Sequence, residues 1–104
     1  MMCSGNATIR IEVDQELVSI VPDFLDHRRL DCLLIERLLA ECDLEGIQSL
    51  GHRMKGSGGS YGFDEISEIG ESLEFAALVA DADGIMSAVE RLKLYLSRLM
   101  VSYV

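Results

Sequence analysis

The sequence predicts an all-α protein: an antiparallel, up-and-down four-helix bundle with a short extra helix on its N-terminal side. Three observations predict this fold. Apolar residues recur every three or four positions over most of the chain. Aspartates and glycines stand where helices would begin and end. The connections between the helical segments are only a few residues long, which forces consecutive helices to run antiparallel. The 104 residues, 49% of them hydrophobic, predict one domain with one core.

The first two predicted helices lie on either side of the only proline. A short segment, Asp14 to Val21, is stopped or bent at Pro22, because proline lacks the N–H that a helix interior needs. Asp23 can then cap a long helix. Its inward positions are predicted from their spacing to be Phe24, Leu30, Leu34, Ile35 and Leu38.

Three more helices follow, and each has a predicted start signal. Asp43 opens the next helix and Gly62 ends it; Asp64 caps the one after, and Asp81 or Asp83 opens the last. In the first of these helices, the predicted inward positions are Ile47, Leu50 and Met54. In the second they are Ile66, Ile69, Leu73, Ala76 and Ala77. In the last they are Ile85, Val89, Leu92, Leu96 and Leu99.

The two ends of the chain have a different pattern from the bundle domain, which we place at residues 14–100. In the N-terminal extension (1–13), Ile9, Ile11 and Val13 alternate with charged residues as in a strand. The C-terminal tail (101–104) is also β-prone, with Val101, Tyr103 and Val104. Because chain ends often lie close together, the two segments could pair.

Composition excludes several classes of function. A net charge of −9 disfavours binding to nucleic acid or to anionic membranes. No run approaches the roughly 18 apolar residues that span a bilayer, and the N-terminus lacks a signal-peptide pattern. Cys3, Cys32 and Cys42 are odd in number and form no C-x-x-C pair, so neither a disulfide framework nor a zinc site is predicted. We therefore expect a cytoplasmic protein without a metal site.

The chemistry is predicted to lie on one face of the helix that contains His52. At about 100° per residue, that face carries Gln48, Ser49, His52, Lys55, Gly56 and Gly59. The opposite side carries Ile47, Leu50, Met54, Ser57 and Tyr61. An exposed, neutral imidazole can attack phosphorus. A lysine one turn on can bind the phosphoryl oxygens. Glycines at the fourth and seventh following positions leave room for a second protein to approach.

Other assignments of this stretch fit less well. The glycines match neither G-x-G-x-x-G nor the P-loop order, and the preceding segment reads as helix rather than strand. His27 lacks both the lysine and the glycines, so we expect a surface role for it. Arg53 stands at the edge of the His52 face, where it could add positive potential or be a solvated flank residue. Three acids at helical spacing are interpreted as a solvated stripe rather than a metal site: Glu68, Glu71 and Glu74.

His52-x-x-Lys55-Gly56, followed by Tyr61-Gly62-Phe63 and then by Leu73-Glu74, closely resembles the signature of histidine-containing phosphotransfer (HPt) domains. The resemblance extends from about Asp14 to Met100. It implies that Nε2 of His52 is the phosphorylated nucleophile and that Lys55 stabilises the phosphoryl group. Five residues on or beside the same face are expected to dock the partner: Gln48, Ser49, Arg53, Gly56 and Gly59. Two more, Gly62 and Phe63, are expected to shape the corner at the end of this helix.

The resemblance implies a relay between proteins. The phosphoryl group would pass between aspartates of receiver domains in response regulators and hybrid histidine kinases. Mg²⁺ is expected on the receiver, and no cofactor on this chain. A chain of this length has no room for an ATP-binding lobe, so we expect a monomeric phosphoryl carrier rather than an autonomous kinase. Two alternatives remain: a non-catalytic adaptor that sequesters a receiver domain, and a phosphotransferase that builds its bundle from two helical hairpins.

Overall fold

The computed structural model describes residues 7–104, and this part of the chain contains four α-helices and two short strands. The helices are α1 (Val21–Ala40), α2 (Leu44–Gly58), α3 (Asp64–Leu78) and α4 (Ala82–Arg98). The strands are β1 (Ile9–Val13) and β2 (Leu99–Tyr103). One 3₁₀ turn, Gln15–Leu17, precedes α1, and another, Gly59–Tyr61, extends α2. The predicted four long helices are therefore all present, as expected of a helical bundle.

The helices enclose one apolar core. The inward positions predicted for the last three helices are buried, except that Leu99 leaves α4 to begin β2 and is only partly buried. Phe63, from the connection between α2 and α3, is fully buried beside them. Its ring stacks on that of Phe24 with centroids 5.8 Å apart. This contact fixes the corner where the chain turns from α2 into α3.

Two glycines bring the backbones of α2 and α3 unusually close. A methyl group at Gly51 would lie 2.7 Å from the backbone nitrogen of Glu74, and one at Gly70 would lie 2.5 Å from that of Lys55. Neither position can hold a side chain without separating the helices. The close packing places residues of α3 directly beside the exposed face of α2.

The predicted helix signals are partly confirmed. Asp43 and Asp81 are N-caps, and their carboxylates accept hydrogen bonds from the backbone N–H of Gly46 and Gly84. Gly62 adopts a left-handed conformation (φ 90°) that ends the α2 segment. Asp64 is not a cap but the first residue of α3, with its charge still in the first turn.

The start of the long first helix differs from the prediction. Ile20, not Asp23, is the N-cap of α1, and Pro22 lies inside its first turn. Proline is tolerated there because N–H groups of a first helical turn have no partner within the helix. Leu30 and Leu34 were predicted to be inward but are exposed. Leucines occur on several sides of α1, so their spacing alone does not identify its buried side.

The two ends of the chain form a parallel pair of strands. Ile9 lies opposite Leu99 and Val13 opposite Tyr103. Alternate residues of both strands pack on the core, and Val13 is buried. Beyond the ladder, the N–H of Val104 donates to Val13 and that of Gln15 donates to Val104. The expected pairing of the ends is therefore present. The extra helix predicted from Asp14 is not confirmed, since only the 3₁₀ turn stands there.

Two further expectations concern cysteines and membrane spans. Cys32 is buried and Cys42 exposed, both as free thiols; Cys3 lies outside the described residues. Within residues 7–104, no helix has both the length and the apolar character needed to cross a bilayer.

Candidate functional site

Helix α2 displays His52 because its two sides differ in polarity. Ile47, Leu50 and Met54 are buried in the core. His52 lies on the opposite side, where 72% of its side-chain surface is exposed. With the Asp43 cap fixing the start of the helix, the imidazole is held on a regular, packed element rather than on a loop.

A carboxylate of the neighbouring helix orients the imidazole. Oε2 of Glu74, on α3, lies 3.0 Å from Nδ1 of His52. An ionised carboxylate can only accept a hydrogen bond, so this contact favours the tautomer of the neutral imidazole that has its proton on Nδ1. Nε2 is then the nitrogen with the free lone pair. The pairing therefore selects the ring nitrogen that can act as a nucleophile.

Lys55 is loosely held beside the same carboxylates. Its Nζ lies 3.8 Å from a carboxylate oxygen of Glu71 and 4.0 Å from one of Glu74. Exposed ion pairs at such distances contribute little to stability. The ammonium can therefore leave these carboxylates for another anion at small cost.

The glycines of α2 and of the 3₁₀ turn that follows it differ in the space around them. A methyl group at Gly58 would lie 2.6 Å from the backbone nitrogen of Ser67, so Gly58, like Gly51, is required for packing against α3. A methyl group at Gly56 would meet nothing within 4 Å. One at Gly59 would make only ordinary contacts, the nearest at 3.5 Å. The fold therefore gives no steric reason for glycine at position 56.

The remaining predicted docking residues surround His52. Gln48, Ser49, His52 and Arg53 line one shallow cavity of about 520 Å³, which Glu45 and Glu74 complete. Ser49 and Arg53 are exposed and Gln48 is half-buried. The structure thus brings these predicted residues of α2 together.

The residues at the corner after α2 have structural positions. Gly62 needs its positive φ, as described above, and Phe63 is in the core. Tyr61 packs on Phe24 with ring centroids 4.8 Å apart. Together they hold the end of α2 against α1, away from the exposed face.

A polar cluster anchors α1 beside α2. Asp31 is buried and its carboxylate accepts a hydrogen bond of 2.7 Å from Arg28. Burial raises the pKa of Asp31, and the positive charge of Arg28 opposes that rise. The Arg28 guanidinium also lies 4.8 Å from the centroid of the Phe24 ring and donates to Ser57 of α2 at 3.5 Å. Through Ser57, this cluster links α1 to α2.

The contacts of Glu74 do not follow from its spacing in the sequence. The spacing of Glu68, Glu71 and Glu74 predicts a solvated stripe, but the structure separates the three. Glu68 pairs with Arg91 of α4, Glu71 approaches Lys55, and Glu74 contacts both His52 and Lys55. The available signal was the place of Glu74 in the Leu73-Glu74 element of the family motif.

Two further points concern His27 and possible metal ligands. His27 is exposed on α1. Within residues 7–104, no three His, Cys, Asp or Glu side chains are grouped as metal ligands would be. The groups in contact with one another at the described site include the imidazole of His52, the ammonium of Lys55 and the carboxylates of Glu71 and Glu74.

Comparison with known proteins assigns the chain to a family. The family model described as "Hpt domain" matches residues 19–101. Searches of curated proteins and of solved structures gave no significant match. The family match includes the whole of α1 to α4 and all the site residues described above. It confirms the resemblance stated from the sequence, and the chain therefore belongs to the Hpt domain family.

Proposed function

We propose that this protein relays a phosphoryl group, through His52, from the aspartate of one receiver domain to that of another. Membership of the Hpt family implies phosphotransfer in two-component signalling. The observation that carries the proposal for these residues is the 3.0 Å contact between Glu74 and Nδ1 of His52, which leaves Nε2 free on an exposed face.

The proposed transfer needs only the two proteins and the Mg²⁺ that we place on the receiver domain. The lone pair of Nε2 forms a bond to the phosphorus of an aspartyl phosphate, and the bond from phosphorus to the aspartate oxygen breaks. Its electron pair leaves with the aspartate, which becomes a carboxylate. The proton on Nδ1 stays in the hydrogen bond to Glu74. In the second step, an aspartate of another receiver attacks the phosphohistidine and Nε2 recovers its lone pair.

Positioning and charge stabilisation supply most of the catalysis in such a transfer. Lys55 would move from the Glu71 carboxylate to the oxygens of the phosphoryl group. Mg²⁺, which we place on the receiver domain, would screen the charge on the donor side. The missing side chain at Gly56 would allow the receiver to bring its aspartate within reach of Nε2.

A single chain would be sufficient for this function. His52, Lys55 and Glu74 all come from α2 and α3 of one chain. We therefore propose a monomer whose helices run antiparallel throughout, which is the arrangement that the close packing of Gly51 and Gly70 supports for α2 and α3.

The direct test uses receiver domains of the source organism, phosphorylated on aspartate with radiolabelled acetyl phosphate and Mg²⁺. Label should pass to the wild-type protein in an acid-labile, base-stable form. His52→Gln should remove it, and His27→Gln should retain it. Equal labelling of wild type and His52→Gln would overturn the assignment. Binding of a receiver without any labelling would favour the non-catalytic adaptor instead.

A further inference from the structure

The surface around His52 carries more negative than positive side chains. Two adjoining cavities, of about 520 and 230 Å³, lie along the exposed side of α2 and α3 and share Gln48 and Glu74. Three carboxylates and two cations line them: Glu45, Glu71 and Glu74; Arg53 and Lys55. Proteins that hold a phosphate group tightly surround it with arginine, lysine or backbone N–H groups. Here negative charge is in excess before any phosphoryl group is added.

The three carboxylates differ in what holds them. Glu45 lies in the first turn of α2, where a negative charge stabilises the helix. Glu74 contacts Nδ1 of His52 at 3.0 Å. Glu71 leaves 68% of its side chain in solvent, and its carboxylate lies 3.8 Å from Nζ of Lys55. An exposed pair of this kind contributes little to stability. Glu71 can therefore be changed with little effect on the fold.

A carboxylate beside Lys55 acts differently on the two forms of His52. In the proposed transfer, the ammonium of Lys55 moves to the phosphoryl oxygens, while the charge of Glu71 stays on α3. A phosphoryl group carries a charge of about −1.5 to −2 near pH 7, so the Glu71 carboxylate repels it. The neutral imidazole experiences no such repulsion. Glu71 therefore raises the free energy of phosphohistidine relative to that of the free histidine.

We propose that the Glu71 carboxylate destabilises the phosphorylated form of His52 and so shifts the transfer equilibrium toward the aspartyl phosphate of the receiver domain. This inference rests on the proposed function and concerns the direction in which the relay runs. The same bonds form and break in both directions, and Glu71 takes no part in them. Its charge makes the phosphorylated chain a donor that gives the group up rather than a store that keeps it.

The experiment measures the equilibrium constant of transfer between one phosphorylated receiver and the wild type, Glu71→Gln, Glu71→Asp or Glu68→Gln. Glutamine keeps the shape of the side chain and removes its charge, whereas aspartate keeps the charge. Glu68→Gln is the matched control, because it removes the same charge from the same helix, beside Arg91 of α4 rather than beside Lys55. The proteins are kept below the Kd of their complex. The ratio of labelled species then reports the stability of phosphohistidine rather than the strength of docking.

We expect Glu71→Gln to shift the equilibrium constant toward phosphohistidine by about fivefold, which corresponds to about 1 kcal/mol. Glu71→Asp and Glu68→Gln should stay within about twofold of the wild type. In about 1 M NaCl the shift should largely disappear, because the Debye length falls to about 3 Å, from about 8 Å at physiological ionic strength. The loss of a purely structural contact would not depend on salt in this way.

Each other outcome contradicts the inference. An equilibrium constant of Glu71→Gln equal to that of the wild type would overturn it and leave the proposed function standing. An equal shift in Glu68→Gln would assign the effect to net charge. A shift that persists at high salt, or that Glu71→Asp shares, would assign it to the shape of the side chain. A lower unfolding free energy of Glu71→Gln than of Glu68→Gln would show a structural role instead. If no receiver labels the wild type, the proposed function fails, and this inference fails with it.

Discussion

The contact between Glu74 and Nδ1 of His52 makes the orientation of the imidazole depend on two helices rather than on one residue. Removing the carboxylate frees the imidazole to rotate and to place its proton on either nitrogen. We expect Glu74→Ala to slow transfer from a phosphorylated receiver by roughly tenfold, as loss of a carboxylate that orients a histidine does in metal sites. The rate of label transfer measures this effect, with the tautomer followed by ¹⁵N NMR.

Glu68→Ala is the matched control for that variant. Glu68 is an exposed glutamate of the same helix, and its pair is Arg91 rather than His52. Transfer should continue at the wild-type rate in this control. If Glu74→Ala transfers as fast as Glu68→Ala, the carboxylate does not position the ring.

Glycine at position 56 lowers the stability of α2, although packing does not require a glycine there. Its replacement should therefore have opposite effects on stability and on the rate of transfer. An exposed glycine inside a helix costs about 1 kcal/mol relative to alanine, and a methyl group there meets nothing within 4 Å. We expect Gly56→Ala to raise the free energy of unfolding by about 0.5–1 kcal/mol. The same methyl group would stand between the two proteins and should slow transfer by roughly tenfold.

Two substitutions test whether these opposite effects are specific. Ser87→Ala on the exposed side of α4 should also stabilise its helix, by a few tenths of a kcal/mol, yet leave transfer unchanged. Gly51→Ala should instead destabilise the protein, because its methyl group would lie 2.7 Å from the backbone of α3. A Gly56→Ala protein that is more stable and transfers normally would show that the glycine is not needed for docking.

The sequence predicts the part of the candidate site that lies on one helix. Periodicity is sufficient to place His52, Lys55 and Gly56 on a common exposed face, because all three share the geometry of α2. It could not place Glu74, whose distance from His52 depends on how closely α3 packs. That distance follows from Gly51 and Gly70, which meet only in the folded chain.

At the scale of the helices, two connections use a left-handed residue that is not glycine. Cys42 (φ 59°) follows α1 and Ala80 (φ 56°) follows α3. In each connection, the N–H of the residue that follows donates to a backbone carbonyl of the preceding helix. The N–H of Asp43 donates to Leu38, and the N–H of Asp81 donates to Ala76. These are Schellman motifs, in which glycine is the preferred left-handed residue. No glycine marked these ends, so the sequence placed them only through the caps that follow.

The left-handed alanine leads to a prediction about α3. An L-residue in this conformation costs about 1–2 kcal/mol, part of which glycine recovers. We expect Ala80→Gly to raise the free energy of unfolding by about 0.5–1 kcal/mol, measured by denaturant titration. Ala40→Gly, at the last residue of α1, should lower it instead, because this position is helical. A loss of stability in both variants would contradict the assigned conformation of Ala80.

At the scale of the whole molecule, the strand pair closes the fold by joining its two ends. Alternation at Ile9, Ile11 and Val13 is enough to predict a strand. It did not give the parallel direction, which depends on where α4 ends relative to the start of α1. The register follows from the same geometry, with Val13 opposite Tyr103. Because the two strands are far apart in the chain, the sequence of either strand predicts this sheet only in part.

Tyr95 links the interior of the molecule to its stability at high pH. Its side chain is 2% exposed, and its hydroxyl has no hydrogen-bond partner within residues 7–104. Burial, with smaller contributions from the charges of Glu65 and Asp64, raises the pKa of Tyr95 to about 12. The unfolded chain loses this proton near pH 10, while the folded protein keeps it. Stability attributable to Tyr95 should therefore fall as the pH rises from about 10 to 12, by roughly 2–3 kcal/mol.

Tyr95→Phe tests both aspects of this buried hydroxyl. At pH 7 the variant should be more stable by about 1 kcal/mol, because a buried polar group without a partner is unfavourable. Above pH 10 its advantage should grow, since the variant has no proton to lose at this position. Unfolding free energies at pH 7, 9 and 11 measure both effects, and the difference from the wild type removes the contributions of other titrating groups. A variant that is less stable at pH 7 would mean that the hydroxyl has a partner in solution, and a constant difference up to pH 11 would mean that the fold does not favour the protonated form.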